Sequence, residues 1–184
     1  MNRRQCMGLM GTFAATLASA SIAHATTARA VSLVSLVQRS TRIARATTLE
    51  SFARSEDVGG ARHIVTYSRL RIDDSIQGPS GDSETLVRTL GGRVGDLGEI
   101  VHGEAELTLN ETSLVFLMSD DSGVELVTAM AQGHYPVAID SAGVPRLRLA
   151  RNMPRLIGGS ASAVAQLAGK PFLEARALIL GARH

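Results

Sequence analysis

The sequence has no tryptophan, two tyrosines, four phenylalanines and one cysteine in 184 residues. Sites that stack sugars or single-stranded nucleic acid need exposed aromatic faces, and a chain with so few aromatic residues needs them in its core. The single cysteine, Cys6, has no second cysteine in the chain to pair with, so the fold must be held together by its hydrophobic core. The composition therefore argues against a stacking platform and against a disulfide scaffold.

The first 25 residues follow the three-part pattern of a secretory signal peptide. A short basic head precedes an apolar run over residues 7–17, and Ala23-His24-Ala25 follows as a cleavage motif. The apolar run is too short to span a bilayer. We predict export to the periplasm or the medium, with cleavage after Ala25 and with Ala18-Ser19-Ala20 as an alternative site. No membrane span is expected in the cleaved protein.

Cleavage would also change the charge of the chain. The formal net charge is +2, and the loss of Arg3 and Arg4 brings it to zero. A neutral protein has no general electrostatic attraction to nucleic acid or to an anionic membrane. We therefore expect its partner to be a protein or a small ligand outside the cytoplasm, and not nucleic acid.

The middle of the chain is predicted to form short β-strands separated by turns. Alternating apolar and polar residues predict strands over Ile64–Ile72 and Glu84–Leu90, and the uninterrupted apolar run 113–118 predicts a central strand. The strand Thr47–Phe52 and the turn cluster Glu56–Gly60 complete a long hairpin with the first of these. Further strands are predicted over residues 105–109, 124–130, 135–139 and 147–149, with turns at 77–82, 120–123 and 140–143.

Helices are predicted at both ends of this β region. Ser32 is a suitable N-cap for a short helix that ends near Ser40. An alanine-rich segment over 160–168 and the segment Pro171–Leu180 predict one or two further helices, the second with proline at its first helical position.

These elements define the expected fold class and domain organisation. We predict a mainly β fold, a single antiparallel barrel or sandwich with an OB-like barrel favoured, a short N-terminal helix and one or two C-terminal helices. The divisions are a signal peptide over 1–25, the β domain over 26–155 and a C-terminal helical extension over 156–184.

The usual signatures of catalysis and metal binding are absent or incomplete. The segment Gly158–Ser162 departs by one residue from the G-x-S-x-G nucleophile elbow, and a helix N-cap at Ser160 or Ser162 accounts for it better. The histidines that follow the predicted cleavage site, at 63, 102, 134 and 184, are too far apart for a local metal-ligand pattern. We therefore assign no catalytic, cofactor-binding or metal-binding residue.

A glycine-rich segment, Leu90–Glu104, is the most motif-like part of the chain. Its spacing G-x-x-G-x-x-G matches neither common phosphate-binding motif, it lacks the lysine of a P-loop, and no helical periodicity follows it. We predict that its glycines provide positive φ angles and close backbone approach between strands.

Several segments resemble a group of uncharacterised exported bacterial proteins. The resemblance covers roughly residues 32–140, and its most specific pieces are the L-G-G-x-V-G segment Leu90–Gly95 and the A-Q-G-x-Y-x-V segment Ala131–Val137. The group has no established activity, so the resemblance implies export and a β-rich fold without implying a reaction. The plan is also similar to the OB-type barrel of netrin-like and metalloprotease-inhibitor domains, although those domains depend on disulfides.

The sequence therefore favours a non-catalytic binding or accessory module of unknown ligand. Two alternatives stay open: a small secreted hydrolase whose site is assembled only in three dimensions, and a protease-inhibitor-like domain. We expect any surface function in the glycine-rich segment and the turn near residue 133, with five polar candidates for partner binding: Arg93, Asp96, His102, Gln132 and His134.

Overall fold

The computed structural model describes residues 27–79, 81–159 and 161–183. Strands account for 49% of them and helices for 17%, which confirms the predicted mainly β class. The predicted signal peptide, Ser160 and His184 lie outside the described residues.

Eleven strands and four helical segments are described. The strands are β1 Thr27–Arg29, β2 Arg42–Val58, β3 Ala61–Gln77, β4 Glu84–Leu90, β5 Gly92–Val94, β6 Leu97–Glu99, β7 Thr112–Ser119, β8 Glu125–Val127, β9 His134–Ile139, β10 Pro145–Leu147 and β11 Arg155–Ile157. The helices are α1 Leu33–Arg39, α2 Ala163–Leu167 and α3 Phe172–Gly181, and a 3-10 turn covers Met130–Gly133.

The main sheet has seven strands in the order β10-β9-β7-β2-β3-β4-β8. Its neighbours are antiparallel except for β4 and β8, which are parallel over two residues. Because β7 also pairs with β8, hydrogen bonds run in a closed ring through β7, β2, β3, β4 and β8. We refer to these five strands as the strand ring. Outside it, β1 pairs in parallel with β11, and β5 and β6 form a small hairpin.

The predicted long hairpin is confirmed as β2 and β3, and it is longer than expected. Each strand has 17 residues, and the connecting turn is reduced to Gly59 and Gly60 with φ angles of 60° and 85°. Two positive φ angles suit the tight turn that preserves strand twist in a hairpin. Register shifts near Ala44, Ala46 and Thr48 bend β2. This curvature lets one long strand take part in closing the ring.

Apolar residues pack on both sides of the sheet. The ring cluster lies inside the strand ring, and it is formed by Ala46, Leu70, Val87, Val115, Leu117 and Val127 together with Ala105 and Leu107. The helix-side cluster lies on the other face, where Leu114, Phe116 and Tyr135 of the sheet meet the three helices. The run 113–118 is therefore buried on both faces, as predicted for a central strand.

The helices largely follow the sequence prediction. Ser32 caps α1, where its Oγ accepts a hydrogen bond from the backbone N–H of Ser35 at 3.2 Å. Ser162 caps α2 in the same way through Ala165, at 3.1 Å. In α3 the predicted stripe is buried, but Pro171 occupies the N-cap instead of the first helical position.

Three of the predicted strands are wrong in extent or type, and the one predicted over 147–149 is found instead at Pro145–Leu147. Residues 105–109 form an irregular segment, because their alternation turns Ala105 and Leu107 into the ring cluster without any strand pairing. The strand predicted over 124–130 ends at Val127, and Ala129 adopts a left-handed conformation that leads into the 3-10 turn. Among the described residues, no helix is both long and apolar enough to cross a membrane.

Candidate functional site

One end of the strand ring opens into a cavity of about 490 Å³. Along β3 and β4 the inward-facing positions change from apolar to hydroxyl-bearing, so that Leu70 is followed by Ser68 and Thr66, and Val87 by Thr89. These three hydroxyl residues line the cavity, and the glycine-rich segment forms its adjacent wall. Ala105 and Leu107 of the ring cluster also contribute to the cavity wall.

The hydroxyl groups of the cavity are bonded to backbone carbonyls or to a neighbouring serine. Thr66 Oγ1 donates to the carbonyl of Gly91 at 2.7 Å, and Ser68 Oγ pairs with Ser51 Oγ at 2.9 Å. Thr89 is 6% exposed, and its Oγ1 donates to the Thr66 carbonyl across a long 3.4 Å. The lone pairs of these oxygens remain available as acceptors for a ligand.

Glu104 is the most deeply placed carboxyl group of the cavity. Its Oε1 accepts from the backbone N–H of Ala105 at 2.8 Å, and its Oε2 accepts from that of Leu90 at 3.3 Å. Burial raises the pKa of Glu104, and the two backbone hydrogen bonds oppose that shift only in part. The side chain is therefore a carboxyl group whose charge is costly unless a cation lies beside it.

A second carboxyl group, Glu99, fastens the β5–β6 hairpin to β3. Its Oε2 accepts from the backbone N–H of Ile64 at 2.6 Å, and its Oε1 accepts from Nδ1 of His63 at 2.7 Å. The hydrogen bond from His63 and that from Ile64 lower the pKa of Glu99. We call this carboxylate the clasp, because it joins the β5–β6 hairpin to β3 at the cavity wall.

Arg151 and Asn152 also line the cavity, beside the glycine-rich segment. Asn152 Nδ2 donates to the carbonyls of Val101 and Glu104 at 3.0 and 3.4 Å, which leaves its Oδ1 outside these bonds. Arg151 donates to Thr108 and Glu111 at 3.1 and 3.3 Å. The basic group of the cavity lining is thus already engaged by a neighbouring carboxylate.

The glycine-rich segment has the geometry predicted for it. Gly91, Gly92, Gly95 and Gly103 have φ angles of 91°, 136°, 59° and 84°. At Gly92 a Cβ would overlap Thr66 Oγ1 and lie 3.2 Å from Ala53 Cβ. The segment therefore crosses β3 so closely that its first turns require glycine.

The five residues expected to bind a partner do not form one surface. Arg93, Asp96 and His102 are exposed in the glycine-rich segment, but none of them lines the cavity beside it. Gln132 and His134 are instead buried, with 5% and 1% exposure, so neither can meet a partner at the surface. Their polar groups instead form hydrogen bonds inside the protein.

Gln132 ties the N-terminal segment to the 3-10 turn. Its Oε1 accepts from the backbone N–H of Val31 at 2.9 Å, and its Nε2 donates to the carbonyl of Arg29 at 3.0 Å. A primary amide can satisfy both a donor and an acceptor of the same strand edge. This residue is a structural clamp between β1 and the turn that precedes β9.

His134 and Ser113 form a buried pair, with Nε2 and Oγ 3.0 Å apart. Burial and the positive charge of Arg151 lower the pKa of His134 to about 4, so the ring is neutral at pH 7. Ser113 is 3% exposed, so a substrate has no access to its hydroxyl. The pair resembles a nucleophile and its base in spacing, but its burial makes it part of the core.

The residues that line the cavity are largely ones that the sequence analysis did not select. Thr66, Ser68 and Thr89 could have been found from a change in character along the inward face of two predicted strands. Glu104 and Glu106 could have been found because they alternate with the apolar residues of an expected strand.

Within the described ranges, no group of three or more histidine, cysteine, aspartate or glutamate side chains is arranged to hold a metal ion. No known family model matches this chain, and no protein of curated function shows significant sequence similarity to it. The function of the cavity at the end of the strand ring is therefore inferred from the residues that line it.

Proposed function

We propose that this protein is an exported, non-catalytic binding module that holds a small polar ligand in the cavity of an OB-like β-barrel. The cavity carries the proposal, because its volume of about 490 Å³ lies within the range of small-molecule sites. Hydroxyl, carboxyl and amide groups line this solvent-open cavity together with aliphatic side chains, and convergent polar groups of this kind orient a ligand in a binding site. Ligands also bind at the mouths of other β-barrels.

The closed ring of hydrogen bonds supports the barrel part of this proposal. Five strands take part in the ring, the number found in an OB-fold barrel. The mixed pairing also fits, since β8 is antiparallel to β7 and parallel to β4. Strong bends in β2 are the device by which long strands serve both halves of a small barrel.

The proposal of a non-catalytic role is supported by how the reactive groups are engaged. Thr66 and Ser68 bond to a backbone carbonyl and to another serine, and His63 Nδ1 bonds to Glu99. A hydrolase needs a hydroxyl within reach of a base at a place that substrate can enter. The pair that has this spacing, Ser113 and His134, is closed to solvent.

Ligand binding is tested by NMR on isotope-labelled protein purified after export of the full chain. Mixtures of small polar metabolites are added, and amide shifts are mapped on the structure. We expect shifts confined to the segments that line the cavity, residues 66–68, 89–107 and 151–152. Shifts spread over the helices, or none with any mixture, would contradict the proposal. Hydrolysis of an added ester or peptide by the protein would favour the hydrolase alternative. A lower activity of secreted proteases in the presence of the protein would favour the inhibitor alternative.

Export rests on the pattern of the first 25 residues and has a separate test. The full chain is expressed in a bacterium, and the protein is recovered from periplasm and medium. We expect an N-terminus at Thr26, read by mass spectrometry. Intact chain that stays in the cytoplasm would contradict export and leave the cavity proposal unaffected.

A further inference from the structure

The cavity is rich in hydrogen-bond acceptors and poor in free cations. Three carboxyl groups line it, those of Glu99, Glu104 and Glu106, against the single guanidinium of Arg151. That guanidinium is paired with Glu111 at 3.3 Å. An anionic ligand would therefore meet more negative than positive charge at this cavity.

Two uncharged residues with acceptor oxygens, Asn152 and Thr89, also line the cavity. Asn152 Oδ1 stands outside the bonds that fix its amide, and the buried hydroxyl of Thr89 has one long hydrogen bond. A ligand with several N–H donors can satisfy these oxygens together with the carboxylates. A ligand that carries only acceptors cannot bond to these oxygens.

The remaining lining is aliphatic. Leu90, Ile100, Val101 and Leu107 contribute to the walls, and no aromatic side chain occurs among the described residues that line the cavity. Aliphatic walls fit a methylene chain, whereas a sugar ring is usually bound against an aromatic face.

We propose that the cavity binds a small aliphatic amine, with its ammonium group beside Glu104 and Glu106 and its methylene chain along the aliphatic wall. The inference rests on the proposed function and names the ligand class of that same cavity. An ammonium beside Glu104 stabilises the ionised carboxylate, which burial disfavours. The other charged groups of the site, Glu99 with His63 and Arg151 with Glu111, already have partners.

The test compares three ligands of similar length by isothermal titration calorimetry on the exported protein: 1,4-diaminobutane, 1,4-butanediol and succinate. We expect the diamine to bind at least about tenfold more tightly than the diol, which corresponds to about 1.4 kcal/mol, and succinate to show no binding.

Two matched variants locate the ammonium. Glu106→Gln keeps the size of an exposed side chain and removes its charge, so we expect diamine affinity to fall about tenfold and diol affinity to stay unchanged. Glu84→Gln makes the same change on an exposed residue outside the cavity, and it should alter neither affinity.

The outcomes separate this inference from the proposed function. Equal affinity for diol and diamine, or preference for succinate, overturns the amine class and leaves the cavity as a binding site. Failure of all three ligands, while another compound class shifts the cavity amides, also overturns the amine class alone. Failure of every compound in both experiments overturns both proposals.

Discussion

Gly92 has a steric requirement that separates it from the other glycines of the segment. Its φ of 136° is unfavourable for residues with a side chain, and the space above it is filled by Thr66 and Ala53. Gly95 provides the comparison, because its φ of 59° is also positive but a Cβ there would meet nothing within 4 Å. The two positions distinguish backbone strain from side-chain overlap.

We predict that Gly92→Ala lowers the free energy of unfolding by about 2–4 kcal/mol, the sum of a strained φ and an overlap beside β3. Gly95→Ala is expected to cost about 1 kcal/mol, from the backbone alone. Urea unfolding followed by circular dichroism measures both. Equal losses would show that close approach at Gly92 contributes nothing.

His134 illustrates how a buried histidine makes stability depend on pH. Its folded pKa of about 4 lies below the ordinary value of 6.5, so between these values the unfolded chain binds the additional proton. The stability that comes from keeping the ring neutral is present above pH 6.5 and is lost as the pH falls toward 4.

We therefore expect wild-type protein to lose about 3 kcal/mol more stability than His134→Gln between pH 7 and pH 4. Denaturant unfolding at several pH values measures the difference. His102→Gln, at an exposed position, is the control and should follow the wild-type profile. An acid response of His134→Gln that matches wild type would contradict the assignment.

Among the elements, the β5–β6 hairpin is joined to β3 by the carboxylate of Glu99. Glu99 has a folded pKa below its ordinary value, so its contribution is present above that value and is lost as the pH falls through the folded pKa. Protonation weakens the bonds to His63 and Ile64, because a neutral carboxyl is a poorer acceptor.

We predict that Glu99→Gln makes the amides of Leu97 and Gly98 exchange faster with solvent at pH 7. In wild type, we expect the exchange rate of these amides, corrected for intrinsic exchange, to increase at acid pH. The variant should lose most of this increase. Hydrogen exchange by NMR measures both effects, and Glu50→Gln serves as an exposed control. Unchanged protection of the hairpin in Glu99→Gln would rule out the clasp.

How well the sequence predicted each element depended on how local its determinants are. The hairpin β2–β3, the turns at 120–123 and 140–143 and the caps at Ser32 and Ser162 depend on neighbouring residues, and these predictions agree with the structure. The segment 105–109 alternates like a strand but is placed by long-range packing inside the ring. The cavity was missed because Thr66 and Thr89 come together only when β3 pairs with β4, and Glu104 is brought to them by the irregular segment that follows β6.

At the scale of the whole molecule, the start of the described chain is attached to distant parts of it. β1 pairs with β11, and Gln132 bonds to both Arg29 and Val31. The N-terminal segment thus contacts two regions that are more than a hundred residues away in sequence. These contacts can therefore form only when both of those regions are folded.

We expect Gln132→Ala to destabilise the protein by about 1–3 kcal/mol, because the backbone N–H of Val31 and the carbonyl of Arg29 lose their partner. Gln166→Ala, which removes an exposed amide bonded to Ala161, should change stability by less than about 0.5 kcal/mol. Thermal or urea unfolding compares them. A loss for Gln132→Ala as small as that for Gln166→Ala would show that the clamp is dispensable.

The pairing of β1 with β11 also has a consequence for the order of folding. Thr27 lies opposite Arg155, so this contact closes a loop that contains nearly all of the intervening fold. Such a closure is entropically costly until the intervening strands have ordered, which places it late in folding. In a chain that emerges N-terminus first, β1 therefore appears first and pairs late, since it has no strand to join until β11 has appeared.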